Sequence, residues 1–142
     1  MSTDVHYSRV AAQGDLEDLK AIAESVVESA SVRVVSPPAG GMVMVRHVDP
    51  LQHTPFYLGE AHVTECEVEV DGTLGYGCVL AGSDERALYA AIIDAVLGAS
   101  VPNPVLRDSV ARAISALGDD LRRRRDEESA RTAATRVDFE VR

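Results

Sequence analysis

A run of alternating acidic and apolar residues in the middle of the chain constrains the fold most strongly. Three glutamates alternate there with three apolar residues: Glu65, Cys66, Glu67, Val68, Glu69 and Val70. Successive side chains of a β-strand point to opposite faces of a sheet, so this pattern is typical of a strand with one buried face. It predicts a strand over residues 56–70 that pairs with others to cover its apolar side.

A second alternating run follows and predicts a strand over residues 73–80. Its apolar residues are Leu74, Tyr76, Cys78 and Leu80, with glycines at positions 75 and 77 on the other side. If both strands turn their apolar residues to one core, paired positions must share parity, which excludes a two-residue turn at Asp71-Gly72. We therefore expect a three-residue loop, either 71–73 or 70–72, the latter with Gly72 in the left-handed conformation.

The same loop decides how the two cysteines meet. Cys66 and Cys78 would lie directly opposite with loop 71–73 and diagonally with loop 70–72, so a cross-strand disulfide is geometrically possible.

The chain begins without the charged-then-apolar pattern of a signal peptide, and no apolar run approaches the roughly 18 residues of a membrane span. We therefore expect a cytoplasmic protein with two buried free thiols.

Helical periodicity and turn residues complete the predicted fold. Apolar residues recur every three or four positions over 15–28, with Asp15 as the cap, and over 84–98, with Asp84 as the cap. A shorter helix is expected at 4–12. Short β-branched runs at 31–35 and 42–48 flank a turn-like Pro-Pro-Ala-Gly-Gly segment at 37–41. The prediction is one α+β domain over residues 1–142, an antiparallel sheet (strands near 31–35, 42–48, 56–70 and 73–80) with N-terminal helices and two C-terminal helices, 84–98 and 104–130.

Charge is unevenly distributed along the 142 residues. The chain has a net charge of −9, which argues against a general nucleic-acid binder. Residues 1–102 hold 15 acidic and 5 basic side chains, whereas residues 103–142 hold 8 acidic and 9 basic ones, all of the latter Arg. The two parts therefore present different electrostatic surfaces.

The C-terminal part of the chain is the strongest predicted interface. The apolar stripe of the last helix stops at Leu121, so 122–142 reads as a charged helix extension and a tail. Within the extension, Arg122, Arg123 and Arg124 can each pair with an acid four residues later. The β-prone tail either adds to another chain's sheet or returns to its own. Predicted partner contacts are Gly75, Gly77, Arg122, Arg125, Thr135, Arg136, Val137, Asp138 and Phe139.

No residue pattern here points to catalysis or to a metal. The glycines around Asp71 and Gly72 match neither a Walker A loop nor a dinucleotide fingerprint, and we interpret those two residues as a structural turn. His47, His53 and His62 lack the spacing of a metal site. Neither cysteine has an activating histidine nearby. We expect no catalytic residue, no metal and no cofactor bound by this chain.

Five segments, in order and spacing, resemble one known family. They are Phe56-Tyr-Leu-Gly-Glu-Ala-His-Val-Thr64, Asp71-Gly-Thr-Leu-Gly-Tyr76, Gly82-Ser-Asp84, Ile92-Ile-Asp-Ala95 and Thr135-Arg-Val-Asp-Phe139. Together they resemble the PhnG family, the G subunits of the bacterial carbon–phosphorus lyase system. Detailed similarity covers residues 56–98 and the tail.

The resemblance implies an accessory subunit of a larger assembly. It would help to form α-D-ribose 1-(alkyl)phosphonate 5-triphosphate from ATP and a phosphonate, chiefly with the nucleosidase-like I subunit and also with the H, J and L subunits. ATP is used by that complex, and the iron–sulfur cluster and S-adenosylmethionine belong to a different subunit. The family has no catalytic residue to carry over, which implies a non-catalytic subunit of a multi-subunit enzyme.

Two other interpretations remain open at the level of sequence. The chain is alternatively a stand-alone module that binds a small ligand, or a homodimer, without a catalytic role. A weaker alternative is nucleotide binding by the arginine run 122–125. Under each alternative the isolated chain binds a ligand, a nucleotide or a second copy of itself, whereas an accessory subunit acts only with its partner subunits.

Overall fold

A computed structural model describes residues 4–98 and 102–133 of the chain, with side chains from residue 7 onward. The elements are α1 (Asp4–Gln13), α2 (Leu16–Ser29), β1 (Val32–Val48), β2 (Pro55–Val70), β3 (Thr73–Leu80), α3 (Asp84–Leu97) and α4 (Pro104–Ala133). The strands form an antiparallel sheet in the order β1-β2-β3. This confirms the predicted α+β class, with N-terminal helices and a long C-terminal helix.

Helix α3 forms the centre of the core. It packs on β2 and β3 on one side and on the other three helices on the other side. Its buried side chains are Ala87, Ala90, Ala91, Ile92, Ile93, Ala95 and Val96. The predicted apolar stripe of α2 is buried against this cluster: Leu19, Ile22, Ala23 and Val26. The core therefore lies on one face of the sheet, and it includes Cys66, Val68 and Val70 of β2.

Helix ends are fixed by side chains near them in sequence and in space. Asp15 caps α2 as predicted, its side chain accepting a hydrogen bond from the amide of Glu17. The cap of α3 is Ser83 and not the predicted Asp84, since Ser83 Oγ accepts from the amide of Arg86 and Asp84 lies inside the first turn. The Arg86 guanidinium donates to the carbonyls of Ala11, Ala12 and Gly14, which satisfies the end of α1.

The prediction of two separate strands at 31–35 and 42–48 is wrong, because β1 is one strand of 17 residues. It pairs with β2 along its length and absorbs the extra residues at register shifts between Val34 and Ser36 and between Ser36 and Ala39. Pro37 and Pro38 lack amide donors, but β1 is an edge strand and bulges tolerate them there. The segment that resembles a turn is therefore an irregular part of a strand.

The predicted three-residue loop between β2 and β3 is also wrong. Val70 pairs with Thr73, so the turn consists of Asp71 and Gly72 alone. Their φ values of 47° and 84° are those of a two-residue turn with both residues left-handed. The Asp71 amide donates to the carbonyl of Ser31, and its carboxylate accepts from the Ser31 amide, which ties the turn to the start of β1.

This turn places the two cysteines on opposite faces of the sheet. Cys66 is buried on the helix side, and its thiol donates to the carbonyl of Ser36. Cys78 is exposed on the other side, so both cysteines are free thiols. The expectation of two buried thiols therefore holds for Cys66 alone, and the directly opposite or diagonal pairing does not occur.

Gly75 and Gly77 face α3, which explains why Leu74, Tyr76 and Cys78 between and beside them face away from the core. A Cβ atom at Gly75 would lie 2.6 Å from the Cβ of Ala95, and one at Gly77 would lie 2.8 Å from the amide of Ala91. Glycine is required here because strand and helix backbones nearly touch. The close backbone approach at these glycines is made by the chain's own helix α3. Their predicted contact with a partner stays a prediction.

Candidate subunit interface

Beyond the end of β3, the hairpin formed by β1 and β2 continues without a third strand from the described part of the chain. Leu80 pairs with Val63, and the Ala81 amide donates to the carbonyl of His62 as the last bond on that side. Among the described residues, β1 residues 42–48 and β2 residues 55–62 pair only with each other. We call this two-stranded region, with its connecting loop 49–54, the distal ribbon.

The distal ribbon exposes most of its large apolar side chains. These are Met42, Val43, Met44, Val45, Val48, Leu51, Phe56, Tyr57 and Leu58. Leu58 is 63% exposed and Met44 is 60% exposed. Exposed apolar patches of this kind are typical of surfaces that another molecule covers.

The shape of the distal ribbon is fixed by local contacts. Asp49 Oδ1 accepts from the amides of Leu51 and Gln52, and the Asp49 amide donates to the carbonyl of Thr54. The rings of His47 and Phe56 meet edge to face at 5.4 Å. The ribbon is therefore preformed, which lowers the entropic cost of docking.

The distal ribbon also differs from the rest of the chain in charge. Residues 42–62 carry Arg46, Asp49 and Glu60 as their only Asp, Glu, Lys or Arg residues, within a chain of net charge −9. Cores of protein interfaces are depleted in charged residues and enriched in Met and aromatic residues. Met42, Met44 and Tyr57 fit that composition.

A second exposed surface lies on the face of the sheet opposite α3, which we call the uncovered sheet face. Its β3 row is Leu74, Tyr76, Cys78 and Leu80, and its β2 row is Glu65, Glu67 and Glu69. Leu74 is 66% exposed and Leu80 is 70% exposed. The three glutamates therefore share one face, as the alternation predicts.

Two of these glutamates already have partners. Arg33 of β1 forms an ion pair with Glu69 at 2.8 Å, and Tyr76 Oη donates to Glu65 Oε1 at 2.6 Å. The hydrogen bond to Glu65 is the main cause that raises the pKa of the Tyr76 phenol, with burial and Cys78 contributing less. On the helix side, burial and then Glu67 raise the pKa of the Cys66 thiol.

The second half of α4 extends past the core as an exposed helix. Arg122, Arg123 and Arg124 pair with aspartates one turn earlier, at positions 119 and 120, and not with the predicted partners four residues later. Three of the four clustered arginines are thus paired within the helix, to two aspartates, which weakens the case for nucleotide binding. Arg122 and Arg125 lie on this exposed arm, so their predicted partner contacts stay predictions.

Asp94 occupies the cleft between α1, α3 and β3. Its Oδ1 accepts from Tyr7 Oη at 2.6 Å, and its Oδ2 accepts from the amide of Tyr76 at 2.9 Å. Both oxygens are therefore used to hold α1 and the edge of β3. A neighbouring cleft contains Arg86 and Arg124, which are engaged by carbonyls of α1 and by Asp120.

The structure separates the predicted interface residues into three groups. Gly75 and Gly77 are buried under α3, and Arg122 and Arg125 are exposed on the helical arm. Thr135, Arg136, Val137, Asp138 and Phe139 lie outside the described residues. The distal ribbon is absent from the sequence prediction, although consecutive apolar residues at 42–45 and 56–58, on both parities, were a signal for a strand pair exposed on two faces.

Comparison with known proteins decides the family. A family model described as "Phosphonate metabolism protein PhnG" matches residues 5–142. The chain belongs to the PhnG family. It is also 34% identical over 132 residues to the α-D-ribose 1-methylphosphonate 5-triphosphate synthase subunit PhnG of Rhizobium meliloti (strain 1021), covering 92% of this chain and 82% of that protein.

Membership of the PhnG family confirms the resemblance carried by the five segments. The family match runs from residue 5 through the tail and includes both candidate surfaces. In the described part of the chain, no helix is long and apolar enough to cross a membrane.

Proposed function

We propose that this chain is an accessory subunit of a carbon–phosphorus lyase complex. It would support the formation of α-D-ribose 1-(alkyl)phosphonate 5-triphosphate from ATP and a phosphonate during phosphonate catabolism. The similarity to the Rhizobium meliloti protein, a synthase subunit, supports this proposal. The structural observation that carries it is the distal ribbon, an apolar strand pair that the described chain leaves uncovered.

The physical argument is that a preformed apolar surface gains free energy when another protein covers it. Removing apolar surface from water is favourable by about 25 cal/mol per Å². The ribbon's loop and strands are already ordered by their own hydrogen bonds, so little of that gain is lost in ordering them. An ordered, exposed apolar surface is what a subunit that binds a neighbouring subunit needs. An independent enzyme instead needs convergent polar groups in a pocket.

In this proposal the chain carries no catalytic residue and binds no cofactor of its own. It holds the nucleosidase-like I subunit in its competent state, within an assembly that also contains H, J and L subunits. ATP is the substrate of that assembly, and the iron–sulfur chemistry belongs to another subunit. The chain's contribution is therefore measured by the activity of its partners.

The test is co-expression of the tagged full chain with the lyase subunits of the same organism. The double variant Met44→Ser and Leu58→Ser should lose capture of the partners and lower the synthase activity of the mixture. The matched control, Val27→Ser and Val105→Ser, removes two exposed apolar residues from α2 and α4 and should leave both unchanged.

Two results would contradict the proposal. One is a wild-type chain that purifies as a stable monomer while the activity of the other subunits is indifferent to it. The other is a sharp homodimer by light scattering that the ribbon variant dissociates, which would favour the homodimer alternative.

A further inference from the structure

Three rows of side chains cross the uncovered sheet face, one from each strand. The β3 row presents the large apolar residues Leu74, Tyr76 and Leu80. The β2 row presents the three glutamates. The β1 row opposite them begins with Arg33, which pairs with Glu69, and is small beyond it, because Ser36 pairs with Glu67 and Ala39 pairs with Glu65. The carboxylates therefore lie along the middle of the face, and small β1 residues lie opposite Glu67 and Glu65.

The middle carboxylate, that of Glu67, has no protein partner among the described residues. Glu69 pairs with Arg33, and Glu65 accepts from Tyr76. Glu67 lies between them and is exposed, and no hydrogen bond or ion pair to it occurs within the described residues. Water satisfies this carboxylate as long as the face stays open.

Covering the apolar row would remove that water. A partner that packs on Leu74 and Leu80 also covers the neighbouring Glu67, and a buried carboxylate without a cationic partner is costly. An Arg or Lys satisfies the carboxylate, and its aliphatic stem packs on apolar surface at the same time. The chemistry of this face therefore demands an occupant that is both apolar and basic.

We infer that the uncovered sheet face docks a basic amphipathic segment of a partner subunit. Apolar side chains of that segment lie on the β3 row, and an Arg or Lys pairs with Glu67. This inference deepens the proposed function and rests on it. It assigns a second contact surface, separate in chemistry from the nearly neutral distal ribbon.

A second copy of the chain fits this face poorly. Apposing two copies of the face would set one row of glutamates against another, in chains that each carry a net charge of −9. The arginines at 122–124 of a second copy are already paired with that copy's own aspartates. Charge complementarity therefore points to a different chain.

The experiment measures the affinity of the full chain for its purified lyase partners at about 50 and about 500 mM NaCl. Glu67→Arg should weaken binding by about tenfold or more at low salt, and wild-type binding should weaken as salt rises. Glu24→Arg makes the same charge change on the exposed face of α2 and should bind within about twofold of wild type. Glu67→Gln, which keeps the size of the side chain, should weaken binding less and flatten the salt dependence.

The outcomes separate this inference from the proposed function. If the ribbon double variant loses the partners while Glu67→Arg binds like wild type, the subunit role stands and the inference is overturned. If the wild-type chain captures no lyase subunit, the proposed function fails and the inference fails with it. A wild-type homodimer that Glu67→Arg dissociates would identify a second copy as the occupant and overturn the inference. Thermal unfolding of each variant checks that its fold is intact.

Discussion

The two halves of β2 have similar apolar content but opposite surroundings. Residues 63–70 lie between β1 and β3 with α3 against one face, and their apolar side chains are buried. Within the described residues, 55–62 pair as a strand with β1 only, and their large apolar side chains are exposed. The difference shows that an apolar strand indicates a surface in need of cover, while the length of the neighbouring strand decides whether the same chain provides that cover.

Thiol reactivity gives the largest expected contrast between covered and uncovered positions. Cys78 should react with Ellman's reagent as an exposed thiol. Cys66 should react at least about a thousandfold more slowly, because burial and a raised pKa require the core to open first, and global opening of a domain costs about 5–15 kcal/mol. Cys66→Ser and Cys78→Ser assign the two phases, and equal rates would refute the face assignment.

Leucine truncation compares the core with the distal ribbon. Leu19→Ala removes a fully buried side chain and should lower the free energy of unfolding by about 2–5 kcal/mol. Leu58→Ala removes an exposed one and should change it by about 0.5 kcal/mol or less. Urea unfolding of the isolated chain measures both. A large loss for Leu58→Ala would mean that the isolated chain covers its own ribbon.

Neighbouring positions of β3 test the contact with α3. Gly75→Ala forces a Cβ into the backbone and Cβ atoms of α3 and should destabilise the chain by about 1–3 kcal/mol. Leu74→Ala, one residue earlier on the uncovered sheet face, should cost about 0.5 kcal/mol or less. The thermal unfolding midpoints of the two variants measure the difference. A larger loss for Leu74→Ala than for Gly75→Ala would contradict the contact between this face of β3 and α3.

The smallest effect concerns the hydrogen bond from Tyr76 to Glu65. Because it raises the folded-state pKa of the phenol, Tyr76 should ionise at higher pH than an ordinary tyrosine of pKa about 10, and Glu65→Gln should bring its ionisation down. The hydrogen bond's contribution to stability is complete below pH about 10 and is lost as pH rises through the folded-state pKa. Tyrosinate absorbance, with Tyr76→Phe to assign the signal, measures the shift. An unchanged titration in Glu65→Gln would contradict the bond.

Patterns that depend on near neighbours predict structure well here. The stripe of Leu19, Ile22 and Val26 repeats at helical spacing, and Asp15 caps the N-terminal end of the helix, so sequence alone places α2. The alternation of Glu65 to Val70 likewise identifies a strand and both of its faces. Each of these patterns lies within one helix or one strand, where the local periodicity of the backbone determines which side chains share a face.

Patterns that depend on distant elements mislead. The face of β3 is set by Gly75 and Gly77, which let α3 approach, and this outweighs the apolar character of Leu74 and Tyr76. Pro37 and Pro38 have the local chemistry of a turn, but pairing of β1 with β2 carries the strand through them. The apolar residues at 42–45 and 56–58 indicate a strand pair, but its exposure depends on where β3 ends, because no third strand of the described residues pairs with it there.

The unequal lengths of β2 and β3, 16 and 8 residues, have a consequence for supply in the cell. Under the proposed function, a copy made in excess of its partners leaves the apolar distal ribbon exposed to solvent. Chaperones and proteases act on surfaces of this type. Unassembled copies would be removed while assembled ones persist. Exposure of the distal ribbon would thus match the amount of this subunit to that of its partners without any dedicated regulatory site.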